Sequence, residues 1–303
     1  INTISFKVMA DMDAQTSAFE SGDIDFATSC NIDSINAKEE LKEQSWKIDP
    51  FVCNYYVLIN SGEENTNEVL KDKDIRNALG LSINRANVLK ALGYGENAYE
   101  LSGLIPAGIP GVNGDFREEQ DEVKKLASYD LEQAKAIMES KGYSKDNMLN
   151  LTYKYNDNTM HKNVAQAMQA SMKDAYINLE LVATEKEAFF DARDKGDFEL
   201  ARHAMTADFI DPMAYLSMYV GKTTLGNTVD DPEFERLVNT ANVLDGAERM
   251  KGLHDAENYL VGDQHYIIPL FGYTEPYLLS SKVTGVTHSP EGHYQLAYAK
   301  IAK

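Results

Sequence analysis

The chain switches hydrophobic period several times along its length. Leu149, Leu151, Tyr153 and Tyr155 alternate, the mark of a strand with one buried side, and Val164, Met168 and Met172 then recur every four residues, the mark of a helix. Ile177, Leu179 and Leu181 alternate again, residues 187–195 read as a helix stopped by Gly196, and residues 198–203 as a further strand. Strands separated by helices predict an α/β domain with a mostly parallel sheet.

The flanking regions carry similar signals. Ile4, Phe6 and Val8 alternate as an opening strand, residues 13–20 form a short helix ending at Gly22, and Ile24 and Phe26 begin another strand. A polar helix over 37–43 precedes a Val- and Tyr-rich strand at 52–59, which runs into the polar stretch SGEENTNEV, a first hinge candidate. Ile75, Leu79, Ile83, Val88 and Leu92 predict one or two helices ending near Gly93, with Tyr94 and Gly95 in the turn that follows. The Pro/Gly-rich residues 104–114 cannot be regular. Asp130 as N-cap, Gln133 three residues on and Gly142 past the end frame another helix. Pro232 sits in the first turn of a helix with Phe234, Leu237, Val238 and Ala241 on one face, a further amphipathic helix covers 246–261, and residues 265–273 read as a buried strand. The Tyr- and Leu-rich tail is predicted to return and pair with the opening segment. Two lobes joined by two crossings, near residues 60 and 275, follow from that return.

Length and charge narrow the function. A chain of 303 residues exceeds one ordinary domain. No run of about 18 apolar residues is present, so no helical membrane span is predicted. With 29 basic and 48 acidic side chains the net charge is -19, which repels phosphate backbones and argues against a nucleic-acid partner. Cys30 and Cys53 have neither a metal-ligand spacing nor a C-x-x-C motif, so two buried free thiols or one disulfide both fit. The six histidines, His161, His203, His254, His265, His288 and His293, match no helical metal pair. No nucleophile elbow, dinucleotide fingerprint, phosphate loop or H-E-x-x-H is found, so no catalytic residue, metal or cofactor is assigned.

The stretch LARHAMTADFIDPMAYL, residues 200–216, joins a strand to a helix, where α/β folds present ligand-contacting groups. Asp208 is either a turn acid or a carboxylate that receives a ligand ammonium. Asp211 is either a second ligand-contacting acid or, the favoured reading, the cap of the next helix. Arg202 can hold a carboxylate or pair with a protein acid.

Four stretches in order, FESGDIDFAT (19–28), DIRNALGLSINRANVLKALG (74–93), LARHAMTADFIDPMAYL (200–216) and YIIPLFGYTEPYLLSSKVTGV (266–286), resemble the extracellular solute-binding proteins of family 5 that feed ABC importers of oligopeptides and dipeptides. The resemblance implies an α/β, periplasmic-binding-protein-like type II fold with two lobes and hinge crossings, here lacking the first part of the usual fold. Residues 1–60 would be the second part of the lobe holding the termini, 61–274 the ligand-binding lobe and 275–303 the return. It also implies a non-enzymatic, monomeric binder at the cell surface or in the periplasm, partnered by a permease and touching the membrane only through it or through a lipid anchor outside this sequence. Asp208 matches the acid of the family's W-x-A-D-Y stretch, which grips a peptide's α-amine, and Arg202 the arginine that engages its carboxyl end. Met205 stands where the family has Trp and Phe209 where it has Tyr, so these two shape the pocket differently. A metal chelate or an oligosaccharide remains an alternative ligand, and a hydrolase the alternative of another class.

Overall fold

A computed structural model describes residues 1–9, 11–30, 32–44, 46–62, 67–93, 98–119 and 128–302. After α1 (Met12–Glu20) come β1 (Phe26–Ala27), α2 (Ile32–Asn36), α3 (Glu39–Gln44) and the long β2 (Trp46–Ile59). Next are α4 (Lys73–Ser82), α5 (Arg85–Leu92), β3 (Ala98–Glu100), an irregular strap over 101–119, and α6 (Leu131–Ser140). The crossovers follow: β4 (Leu149–Asn156), α7 (Thr159–Lys173), β5 (Ile177–Thr184), α8 (Lys186–Asp194) and β6 (Leu200–Thr206). Four helices, α9 (Met213–Leu216), α10 (Gly226–Val229), α11 (Pro232–Asn242) and α12 (Gly246–Glu257), lead through a π turn (Asn258–Asp263) to β7 (Ile267–Leu279). Short strands β8 (Val283–Thr284), β9 (Thr287–His288), β10 (Tyr294–Gln295) and β11 (Lys300–Ile301) form two ribbons at the end.

Local chemistry sets the boundaries. Asp130 caps α6 by accepting from the Gln133 amide at 2.9 Å, and Asn84 caps α5 through Asn87. Gly93 and Gly142, at φ 70° and 88°, take the left-handed conformation that ends α5 and the turn after α6. Tyr94, Gly95 and positions 63–66 of the polar hinge candidate lie outside the described residues.

Seven strands form one sheet in the order β1-β7-β2-β6-β4-β5, with β3 also on β7. Only β6-β4-β5 is parallel; β2 pairs antiparallel with both β6 and β7, and β1 and β3 are antiparallel to β7. The sheet is therefore mixed rather than mostly parallel. The long strand β7 creates the antiparallel half, pairing from Trp46↔Leu278 to Leu58↔Ile267 and with β1 at Phe26↔Leu279, whereas the tail expected to make this return forms the two ribbons β9-β10 and β8-β11 instead. Residues 1–9 do not form the expected strand: Phe6 and Val8 are 79% and 100% exposed. Alternation yields a strand only beside a neighbour, and the two sides of β7 are already taken by β2 and by β1 and β3.

Both faces of the sheet are covered. Tyr55, Val57 and Ile59 of β2 point into a core with α4 to α7, whereas Tyr56 and Leu58 point into a second core with the strap and α8 to α12. A strand buried on both faces reads as a continuous apolar run, which is why residues 52–59 lack clean alternation.

Candidate functional site

Successive crossovers leave the sheet on opposite faces. The chain leaving β4 enters α7 beside one core, and the chain leaving β6 enters α9 beside the other. Adjacent strands whose connections diverge open a crevice at their carboxyl ends, the usual ligand position of an α/β sheet. The carboxyl ends of β4 and β6 are neighbours and carry Asn156 and the 202–208 segment.

Arg202 is buried, and its Nη2 donates to Asn156 Oδ1. The guanidinium lies over the rings of Phe189 and Phe190 on α8, 5.0 and 5.3 Å from their centroids. Its Nε has no hydrogen-bond partner, and no carboxylate pairs with it among the described residues. Burial pulls its pKa below the ordinary arginine value, an effect opposed by nearby Tyr55 and Tyr153. Alongside, the Tyr55 hydroxyl is 3.2 Å from His161 Nδ1 and 3.5 Å from the Tyr153 hydroxyl. Burial first and Arg202 second lower His161 to about 4, so a neutral imidazole faces the cation.

Beyond β6, Ala207 N donates to Val52 O at 3.0 Å, which carries the strand pairing up to Asp208. Asp208 is exposed and makes no hydrogen bond or ion pair among the described residues. Asp211, three residues on, is fully engaged: it caps α9 through Met213 N at 2.8 Å and grips Arg249 of α12 with both oxygens. Phe209 is 51% exposed beside Asp208. Met205 points the other way, into the core with Val52, Tyr56 and Tyr215. The four expected residues thus divide: Asp208 and Phe209 on the exposed connection, Arg202 buried against Asn156, Met205 in the core on the other side of the sheet.

Sequence reasoning passed over the residues that hold this segment. Val52 O also accepts from the Tyr215 hydroxyl at 2.7 Å, and Val52 N donates to Pro290 O at 2.8 Å. Asn54, 0% exposed, donates to Leu104 O and accepts from Met205 N. A lone amide inside the run VCNYYVLI is the signal that could have found it. Cys30 and Cys53 are both free and buried, and burial pushes each thiol up to about 11, which leaves them protonated and unreactive at neutral pH.

The α/β architecture is related to the periplasmic-binding-protein-like fold. The substrate-binding domain of an oligopeptide ABC transporter from Bacillus anthracis superposes with a TM-score of 0.76 at 18% identity, over 96% of this chain and 57% of that one. The model of the bacterial extracellular solute-binding proteins, family 5 middle, matches residues 1–227, and the chain belongs to that family. It is 27% identical over 296 residues to the periplasmic oligopeptide-binding protein OppA of Escherichia coli K12, covering 95% of this chain and 52% of that protein. Against the dipeptide-binding protein DppE of Bacillus subtilis 168 the identity is 23% over 304 residues, covering 99% and 54%. The chain spans about half the length of the curated relatives it matches.

Proposed function

We propose that this chain supplies the ligand-gripping part of a peptide-binding protein, a carrier rather than an enzyme, that serves an ABC importer at the outer face of the membrane or in the periplasm. The carrying observation is the contrast between two acids on one connection: Asp211 is saturated by Arg249 and a helix cap, while Asp208 is exposed with no partner among the described residues. An exposed carboxylate at the end of a strand suits a peptide's α-ammonium, and the charge-assisted bond strengthens as closure removes water. Arg202, paired with a neutral amide instead of an acid, keeps a positive charge for the ligand's carboxyl end.

Two lobes of type II arrangement account for closure. The crossings fall within β2 and β7, so that residues before about 50 and after about 275 belong to one lobe and the segment between them to the other. Their register shifts between Pro50 and Asn54, and a ladder interrupted there is suited to bending. Ligand main chain, held by strand-like hydrogen bonds, gives affinity without reading side chains. The partner is a permease that meets a monomeric closed carrier.

The test is native mass spectrometry of the full-length gene product purified gently from its own cells, compared with Asp208→Ala. Short peptides released from the wild type and absent from the variant are expected. A single non-peptide mass in both proteins overturns the peptide reading.

A further inference from the structure

Asn54 ties β2, the strap and the Asp208-bearing segment together, and this rests on the peptide reading for its meaning. A fully buried amide persists only where its donor and acceptor are met. Here Nδ2 donates to Leu104 O at 2.6 Å and Oδ1 accepts from Met205 N at 3.1 Å. Asn54 also stands where β2 rejoins β7: pairing runs through Pro50↔Thr274, lapses, and resumes at Asn54↔Gly272. Within the lapse, Val52 takes the Ala207 amide on its carbonyl. The main chain three residues and one residue before Asp208 is therefore hung on the irregular part of β2, first by a side chain and then by a carbonyl.

Asp208 has no side-chain partner among the described residues to fix it. Its carboxylate position is set only by the backbone that leads to it. Charge-assisted recognition is sharply directional, so a supporting bond that holds that backbone acts on the strength of the amine contact. Irregular pairing next to a site re-aims side chains, and a bulge fixed by one buried amide re-aims them reproducibly. We infer that Asn54 is a positioning residue for amine recognition: it sets Asp208 through Met205 N and couples that placement to the strap through Leu104 O.

A purely structural Asn54 would affect every ligand alike, whereas a positioning residue affects only ligands that use Asp208. The experiment uses the full-length gene product, titrated with trialanine and with N-acetyl-trialanine, which lacks the charged amine. Wild type, Asp208→Ala, Asn54→Asp and the milder Asn54→Ser are compared, with melting temperature recorded for each. Asn54→Asp keeps the acceptor for Met205 N but turns an oxygen toward Leu104 O; Asn54→Ser is too short to reach both partners. The ratio of the two affinities is expected to fall by about tenfold in Asn54→Ser, with acetylated-peptide affinity unchanged. A ratio equal to that of wild type, with only the melting temperature lowered, overturns the inference. If wild type and Asp208→Ala do not differ in that ratio, amine anchoring itself fails and the inference falls with it.

Discussion

Asp211 and Arg249 meet through two parallel hydrogen bonds, each 2.8 Å long, from Nη1 and Nη2 to the two carboxylate oxygens. The pair fastens α12 to the start of α9 and is three-quarters or more buried on both sides. One acid of the 208–211 segment is thereby engaged by the fold, while the other, Asp208, has no partner among the described residues. Planar two-point pairing of this kind is stronger and more directional than an exposed lysine contact.

Removing Arg249 should therefore cost stability before it costs binding. Arg249→Ala strands a partly buried Asp211 that still caps α9, and a loss of about 1 to 3 kcal/mol is expected. Arg249→Lys keeps the charge but not the fork and should recover only part of it. Denaturant midpoints of the three proteins check this; equal midpoints would show that the pair holds nothing.

Asp208→Asn should behave in the opposite way. The side chain is exposed and has no partner among the described residues, so the stability change should stay within about 0.5 kcal/mol. Binding of a free-amine peptide should weaken by about 2 to 5 kcal/mol, since a buried charge contact is broken in the closed state. Titration calorimetry at neutral pH reads both the loss and its absence for an N-acetylated peptide.

Two buried histidines give the pH profile its sign. His161 is lowered to about 4 by burial and then by Arg202, and His203, stacked 5.0 Å from Tyr56, to about 3 by burial, Arg193 and Arg202. Both are neutral in the fold at neutral pH, whereas the unfolded chain protonates them below about 6.5. Stability is thus complete above 6.5 and falls as pH drops from there toward 4, by ~1.4 kcal/mol per pH unit for each group. Denaturation midpoints between pH 7.5 and 4.5 should show this slope, and His161→Gln should reduce it. An unchanged slope in the variant removes His161 from the account.

Much of the fold was legible because it is local. Leu149 to Tyr155 alternate and do form β4, Asp130 does cap α6, and Gly93 and Gly142 do stop the chain in left-handed geometry. What was not legible depends on distance. The pairing of Trp46 with Leu278 joins segments more than 200 residues apart, and it is this pairing that makes the sheet mixed. Ile4, Phe6 and Val8 have the right period but no neighbour, and period alone does not supply one. In the site, a strand-to-helix connection drew attention to Asp208 and Asp211, but only geometry shows that Arg249 occupies the second of them. Asn156, Phe189 and Phe190 carry no motif; they matter because two crossovers bring them over Arg202.

The strap offers a last test, because one of its attachments to the sheet is a tight approach. Tyr99 of β3 pairs with Gly272 of β7, and a methyl group at Gly272 would lie 2.4 Å from Tyr99 Cζ and 2.5 Å from its hydroxyl oxygen. That hydroxyl accepts from Ala107 N at 2.9 Å, so a displaced ring releases the strap segment that also carries Leu104, the partner of Asn54. Gly272→Ala should cost about 1 to 3 kcal/mol by overpacking, and Tyr99→Phe, which loses only the hydroxyl contact, about 1 kcal/mol. The two positions should also be coupled: on a Tyr99→Ala background the added methyl meets open space, and Gly272→Ala should cost less by about 0.5 to 3 kcal/mol. A double-mutant cycle in denaturant measures that difference. Strictly additive effects would mean that Gly272 is needed for the backbone of β7 and not for the ring that rests on it, with the strap held instead by its other ties, Leu101 N to Leu270 O, Asn54 Nδ2 to Leu104 O and Ile105 N to Glu257 Oε1.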